Sequence, residues 1–540
     1  MTQLATPLQI DTLMVLLLVA SAVGMAVKWV KLPYSIALVI VGLIIGILNI
    51  LPPVQMTPEL ILLIFLPALL FEASWNLDLR SLTKNWLPIG ILATLGVVIG
   101  MLTTAGILHS WAGINPSAAL LFGALIAATD PISVLALFRN MGIDTRLTLL
   151  LEGESLFNDG TAVVLFQLVL AIAQTGGHFS LPVTVGSFLL VVLGGVLVGL
   201  VMGFGASRLT RWFDDHLIEI TLTTIIAYGS FLVAKHIGVS PVIAVVTAGI
   251  VLGNYGSRAS MSPATRLAVN DFWEYAAFVV NSLVFLLIGM QVKIDLLIKY
   301  GPLIGIGIVA ILAARLVVVY GLCPFVSSRD RPIPWSWRHL LFWGALRGSL
   351  CMALALSLPL DFPMRQEIII LTFGVVLFTL LAQGLTVEPL VRLLGLLKAD
   401  PRLKRYELLR GQLMAEGEAM TTLESLLQSN SISWRVFEQL QLEIRKRQDE
   451  LSRLLDELHL VDASLKTFEV RQTRKQLLEV RKDFLVRLAR EDVLSSDVLQ
   501  ELLVSLDQQI DELRQDAVSL SPGQNAASDA EPLAGDADEP

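Results

Sequence analysis

Apolar runs of spanning length follow one another almost without pause as far as residue 397. A helix needs roughly 20 apolar residues to cross a bilayer. The runs place helices near 11–29, 34–51, 58–75, 87–109, 117–139, 147–174, 182–206, 216–236, 240–254, 267–291, 300–326, 337–358 and 367–390, about thirteen crossings. Only 16% of the residues are charged and 54% are hydrophobic, where soluble domains carry about 25% charge. This is the pattern of an all-α polytopic membrane protein, and it excludes a nucleic-acid partner. The two cysteines, Cys323 and Cys351, sit in or near apolar runs and suggest neither a disulfide framework nor a thiolate metal site. Residues 1–10 carry no Lys or Arg, so the first helix reads as retained rather than as a signal peptide.

Basic residues cluster in alternate connections: Lys28 and Lys31, Arg80 and Lys84, Arg139 and Arg146, Arg208 and Arg211, Arg258 and Arg266, then Arg329, Arg331 and Arg338. The others carry none, or only Lys235, Lys293, Lys299 and Arg365. The positive-inside rule puts the first set in the cytoplasm, the N-terminus outside and the C-terminus inside. After the transmembrane domain at 1–397, residues 398–518 show apolar positions at helical spacing among many charges, a cytoplasmic helical or coiled-coil tail. Residues 519–540 form an acidic, disordered terminus.

Within the spans, two stretches stand out, Thr129-Asp130-Pro131 and Glu154-Ser155-Leu156-Phe157-Asn158-Asp159-Gly160. A carboxylate at membrane depth costs about 2.5–3.5 kcal/mol on insertion scales and marks an ion or proton site by default. Proline lacks an N–H and bars its predecessor from the α region, so the helix should break at Asp130. Asp130 then becomes the N-cap of a second half-helix with Pro131 at its first position. Unwound backbone survives at this depth only where it lines a cavity or is buried in protein, and such breaks form the midplane sites of transporters. Asp159, Ser155 and Glu152 share one helix face, which suits a hard cation that wants oxygens. Glu154 and Asn158 share another. Arg315 and Arg347 are intramembrane bases that need partners, and Glu154 is the partner expected for Arg347. Gly344 and Gly348 permit a second unwound helix around Arg347. Glu72 lies toward the inner end of its helix, where it either reaches the same cavity or faces its cytoplasmic mouth.

These motifs, together with Phe71-Glu72-Ala73, Asn76-Leu77-Asp78-Leu79-Arg80 and Leu346-Arg347-Gly348, resemble those of the NhaP-type sodium/proton antiporters, relatives of the animal sodium/proton exchangers. The resemblance covers roughly residues 10–397. It implies inverted repeats, crossed broken helices, a core and a dimerisation part, and alternating access in a homodimer of the bacterial inner membrane. It places the ion site on Asp159 (the sodium ligand), Ser155, Thr129 and Glu72, supported by Asp130, Asn158, Glu154 and Arg347. Arg315 joins the supporting set as a buried base. The implied activity is electroneutral exchange of Na⁺ or Li⁺ for H⁺, a secondary transporter rather than an enzyme, with no cofactor. The alternatives are a K⁺/H⁺ antiporter, an ion channel, a membrane sensor read out by the tail, and an intramembrane aspartyl protease, whose Gly-x-Gly-Asp pattern is missing around Asp159.

Overall fold

The computed structural model describes residues 10–461 except 31–32, 49–56, 175–179, 211–214, 257–260, 262, 292–293, 328–331, 397–400 and 430, with scattered positions from 470 to 509. Lys31, Arg211, Arg258, Lys293, Arg329 and Arg331 of the charge pattern lie outside the described residues, as does the terminus at 519–540. The described elements are all helical. The chain divides into two compact units, Met1–Lys398 and Ala399–Pro540.

The first unit holds α1 (Ile10–Val30) and α2 (Tyr34–Leu48), α3 (Leu60–Asn76) and α4 (Trp86–Ala112). Then come α5 (Pro116–Ile126), α6 (Ile132–Met141) and the 30-residue α7 (Thr145–Gln174). These are followed by α8 (Leu181–Leu209), α9 (His216–Ile237) and α10 (Pro241–Gly256). The unit ends with α11 (Pro263–Met290), α12 (Gly301–Val326), α13 (Trp335–Trp343), α14 (Ser349–Leu356) and α15 (Arg365–Leu393). Among the described residues, 7 helices are long and apolar enough to cross a membrane, and five shorter apolar ones stand beside them. α10 is short and runs inside the bundle, with Pro241 to Val246 all buried. Its start is capped by Ser240 Oγ, which accepts from the Ile243 N–H at 3.4 Å.

Both expected breaks are present. Residues 127–131 separate α5 from α6, and 344–348 separate α13 from α14. The two unwound stretches cross, because the Asp130 N–H donates to the Leu346 carbonyl at 2.8 Å. Gly348 is required at the crossing, since a Cβ there would lie 2.8 Å from Asp130 Cγ and closer still to its Cβ. One detail differs from the sequence reading. α6 begins at Ile132, so Pro131 rather than Asp130 occupies the cap position. The Asp130 side chain still meets the orphaned donors, with Oδ1 accepting from the Ile132 N–H at 3.1 Å.

Single π-type turns begin α3 at Leu60–Phe65, interrupt α4 at Leu92–Gly96, end α10 at Leu252–Gly256 and interrupt α15 at Thr379–Gln383. The last carries Thr379, whose hydroxyl accepts from the Arg347 backbone N–H at 3.1 Å. In the second unit, α16 (Pro401–Gln428) and α17 (Trp434–Val461) form an antiparallel hairpin. It is closed by Tyr406 and Leu409 with Leu455 and by a Glu416–Arg447 ion pair at 3.4 Å. Farther along the helical tail expected over 398–518, the described residues include Leu478, Leu485 and Leu506, which pack together.

Candidate ion site

The long helix α7 carries side chains to two different places. Glu152, Ser155 and Asp159 line a cavity of about 740 Å³, together with Glu72, Thr129 and Asp130. Glu154 and Asn158, on the other face, line a separate pocket of about 30 Å³ with Arg315 and Arg347. The helical period alone produces this division.

Thr129 is fixed from α7 by three bonds. Its carbonyl accepts from Ser155 Oγ at 2.5 Å. Its hydroxyl accepts from Asn158 Nδ2 at 2.7 Å, and its N–H donates to Asn158 Oδ1 at 3.4 Å. Asn158 is therefore spent on holding the unwound backbone. Asp159 Oδ1, by contrast, is buried and has no hydrogen-bond partner among the described residues. The result is a carboxylate oxygen with a hydroxyl and a backbone carbonyl close by, a donor set for a hard cation.

Glu72 lines the same cavity, and its Oε1 accepts from Asn76 Nδ2 at 2.9 Å on its own helix. The cavity also touches Asn281 of α11 and the half-buried Glu388, and it reaches the exposed residues Arg139 and Glu274, where it opens.

The buried arginines are arranged differently from the sequence reading. Glu154 pairs with Arg315, not Arg347: Nη1 and Nη2 of Arg315 grip its two carboxylate oxygens, the latter at 2.9 Å. Arg315 also donates to the Leu341 carbonyl from Nε at 3.1 Å and Nη2 at 2.9 Å, near the end of α13. Arg347 instead donates from Nη1 to the Ala127 and Ala128 carbonyls, each at 3.4 Å, at the end of α5. Its Nε is buried without a partner among the described residues. Each arginine thus meets the last carbonyls of a half-helix, where positive charge is favourable.

Two residues escaped the sequence reading. Cys351 Sγ donates to the Ala128 carbonyl at 3.3 Å and lines the large cavity. Thr379 braces the second break as described above. Cys351 follows Arg347 by four positions, a spacing that could have pointed to it, whereas nothing around Thr379 distinguishes it from other helix threonines.

Comparisons with known proteins identify the family. Residues 14–393 match the family described as "Sodium/hydrogen exchanger, transmembrane". The Na(+)/H(+) antiporter ApNhaP of Aphanothece halophytica is 44% identical over 482 residues, 88% of this chain and 92% of that one. The Na(+)/H(+) antiporter NhaP of Pseudomonas aeruginosa is 40% identical over 349 residues, 62% of this chain and 81% of its own length. The fold resembles that of the sodium proton antiporter MjNhaP1 from Methanocaldococcus jannaschii, with a TM-score of 0.61 at 21% identity, covering 72% of this chain and 99% of that one. With most of its length matched by the family and by relatives of this identity, the chain belongs to the sodium/hydrogen exchanger family.

Proposed function

We propose that this chain exchanges Na⁺, or Li⁺, for H⁺ by alternating access, with Asp159 as the carboxylate for which both ions compete. The observation that carries this reading is the unpartnered Oδ1 of Asp159, a residue that lines the 740 Å³ cavity together with Ser155 and Thr129. A carboxylate so placed holds a proton or a cation, not both. If only loaded forms switch access, the two ions move in opposite directions, driven by their gradients. Thr129 and Ser155 supply further cation ligands, and Glu72 lends a carboxylate from the cavity wall. Asp130, Asn158, Glu154, Arg315 and Arg347 hold the broken helices that present them. The names of the relatives support sodium exchange rather than K⁺/H⁺ antiport or proteolysis.

The cavity opens beside Arg139, one of the basic residues that the positive-inside rule assigns to the cytoplasm. On that basis this is the inward-open form of a multi-pass protein of the bacterial plasma membrane, with its N-terminus outside, working as a homodimer in pH and sodium homeostasis. Asp159→Asn removes the charge both ions need. It should abolish Na⁺-driven dequenching of a pH dye in everted vesicles while the protein still inserts and purifies. Near-normal exchange by this variant would sink the assignment.

The second unit is assigned to regulation, because the hydrophobic core of the first is complete before Lys398. A chain ending near residue 398 should insert and exchange ions with a displaced pH response. Total loss of exchange in the inserted truncation would contradict this.

A further inference from the structure

A cavity that admits ions from one face must be closed toward the other, and α7 shows where. Glu152, Ser155, Leu156 and Asp159 line the cavity, and nothing later on α7 does. From Gly160 to Val164 the helix is buried in protein. Past the blind end, α7 meets the outset of α10. A Cβ at Gly160 would lie 2.7 Å from Ile243 Cγ1, 3.3 Å from its Cδ1 and 3.7 Å from Val242 Cγ1. Neither Val242 nor Ile243 lines the cavity.

The two helices belong to different groups. α7 packs chiefly with α5 and α4 around the breaks, whereas α10 packs with α8, α3 and α9. The cavity lies between the groups, with Thr129, Asp130 and Asp159 on one wall and Glu72, Glu274 and Asn281 on the other. For Asp159 to reach the opposite face, the contact at Gly160 must part. α8 lies close behind Ile243: a Cβ at Gly195 would lie 3.3 Å from Ile243 Cβ and 2.8 Å from the Ser240 carbonyl oxygen.

We propose that Gly160, seated on Ile243 and Val242, is the seal that denies Asp159 access to the face opposite the cavity mouth. The missing side chain at 160 sets how firmly that side closes. The inference rests on the reading of Asp159 as the ion site, and its test is kept separate from that reading. A methyl group at 160 drives into the Ile243 side chain, which α8 backs on its other side. It therefore weakens the sealed form relative to the form open on the other side.

The probe is a cysteine at Val163, one turn beyond Gly160 on the same face and buried. Labelling by a membrane-impermeant thiol reagent, added to the full-length protein from the side opposite the cavity mouth, is read against a parent without that cysteine. In Val163→Cys alone, labelling should be slow. Adding Gly160→Ala should speed it at least fivefold, and adding Ile243→Ala to that pair should return it to within twofold of the starting rate. Sodium-driven exchange should follow, falling about tenfold in maximal rate with Gly160→Ala and recovering in the double variant. Unchanged labelling with Gly160→Ala, or fast labelling that Ile243→Ala does not reverse, overturns the proposal. Should Gly160→Ala not be recovered as a monodisperse protein, Ile243→Phe puts the bulk on the other partner and must speed labelling in the same way. The labelling response should persist when Asp159→Asn is added, so a failed seal and a failed ion site give different results.

Discussion

The two broken helices invite a direct comparison. Each is interrupted at membrane depth, and each leaves carbonyls at the end of its first half and donors at the start of its second. The carbonyl ends are treated alike, with Arg347 at Ala127 and Ala128 and Arg315 at Leu341. The donor ends are not. Asp130 accepts from the Ile132 N–H at the start of α6, while α14 starts at Gly348 with no side-chain cap. What lies against Gly348 is again the Asp130 side chain, so one carboxylate stands near both half-helix starts. The arginines differ as well. Arg315 is neutralised by Glu154 in a two-pronged pair, whereas Arg347 makes only long bonds to carbonyls and has an unpartnered Nε. The second break is thus held by a neutral pair from outside itself, and the first by a cation that the second break supplies.

The largest expected effect follows from that difference. Arg315→Ala strips a buried carboxylate of its counter-charge and frees the Leu341 carbonyl, at a cost of about 3–5 kcal/mol. Thermal stability in detergent should fall further than for any other substitution at the breaks. Arg347→Ala removes two bonds of 3.4 Å, for about 1–3 kcal/mol. Because those carbonyls directly precede Thr129, this variant should instead raise the apparent KM for Na⁺ several-fold. Arg347→Ala proving the less stable of the two would restore the Glu154–Arg347 pairing expected from sequence and remove the asymmetry between the breaks.

That reversal shows what a sequence can and cannot tell. The spans were readable from apolar run length, and the first break from Pro131, because both are local constraints on backbone and solvent. The second break could be read only from Gly344 and Gly348, which permit unwinding without forcing it. The two faces of α7 followed from the helical period, so Asp159 separates from Glu154 on spacing alone. Which arginine reaches Glu154 did not follow, since Arg315 lies 161 positions away and only the packing of α12 decides it. The π-type turns that position Thr379 leave no pattern in residue type either. Spacing gives the direction a side chain faces, and tertiary packing supplies the neighbour.

The smallest expected effect is none at all: the exchange rate should not respond to membrane potential. Position 158 is a neutral amide, and both its polar atoms are bound to Thr129. It adds no titrating charge beside Asp159. Asp130 sits at the positive end of α6, where the helix dipole favours a fixed negative charge, and its Oδ1 is engaged by the Ile132 N–H. Glu72 is bonded to Asn76 on its own helix. Beside the Thr129 break one exchanging carboxylate remains, with Glu152 two helical turns earlier on the same face and Glu274 and Glu388 on other helices of the cavity wall, and it binds one proton or one monovalent cation. The carrier then bears the same charge on both legs of the cycle, so the potential does no net work, whereas one uncompensated charge would feel about 2.3 kcal/mol per 100 mV. The measurement is exchange in proteoliposomes at potentials set with valinomycin. A rate that scales with voltage, or a transport current on a solid-supported membrane, would mean that a second group carries a proton. Asp130, the carboxylate placed near both half-helix starts, would then be the first to test, since releasing its charge once per cycle would leave both donor ends uncompensated at that step.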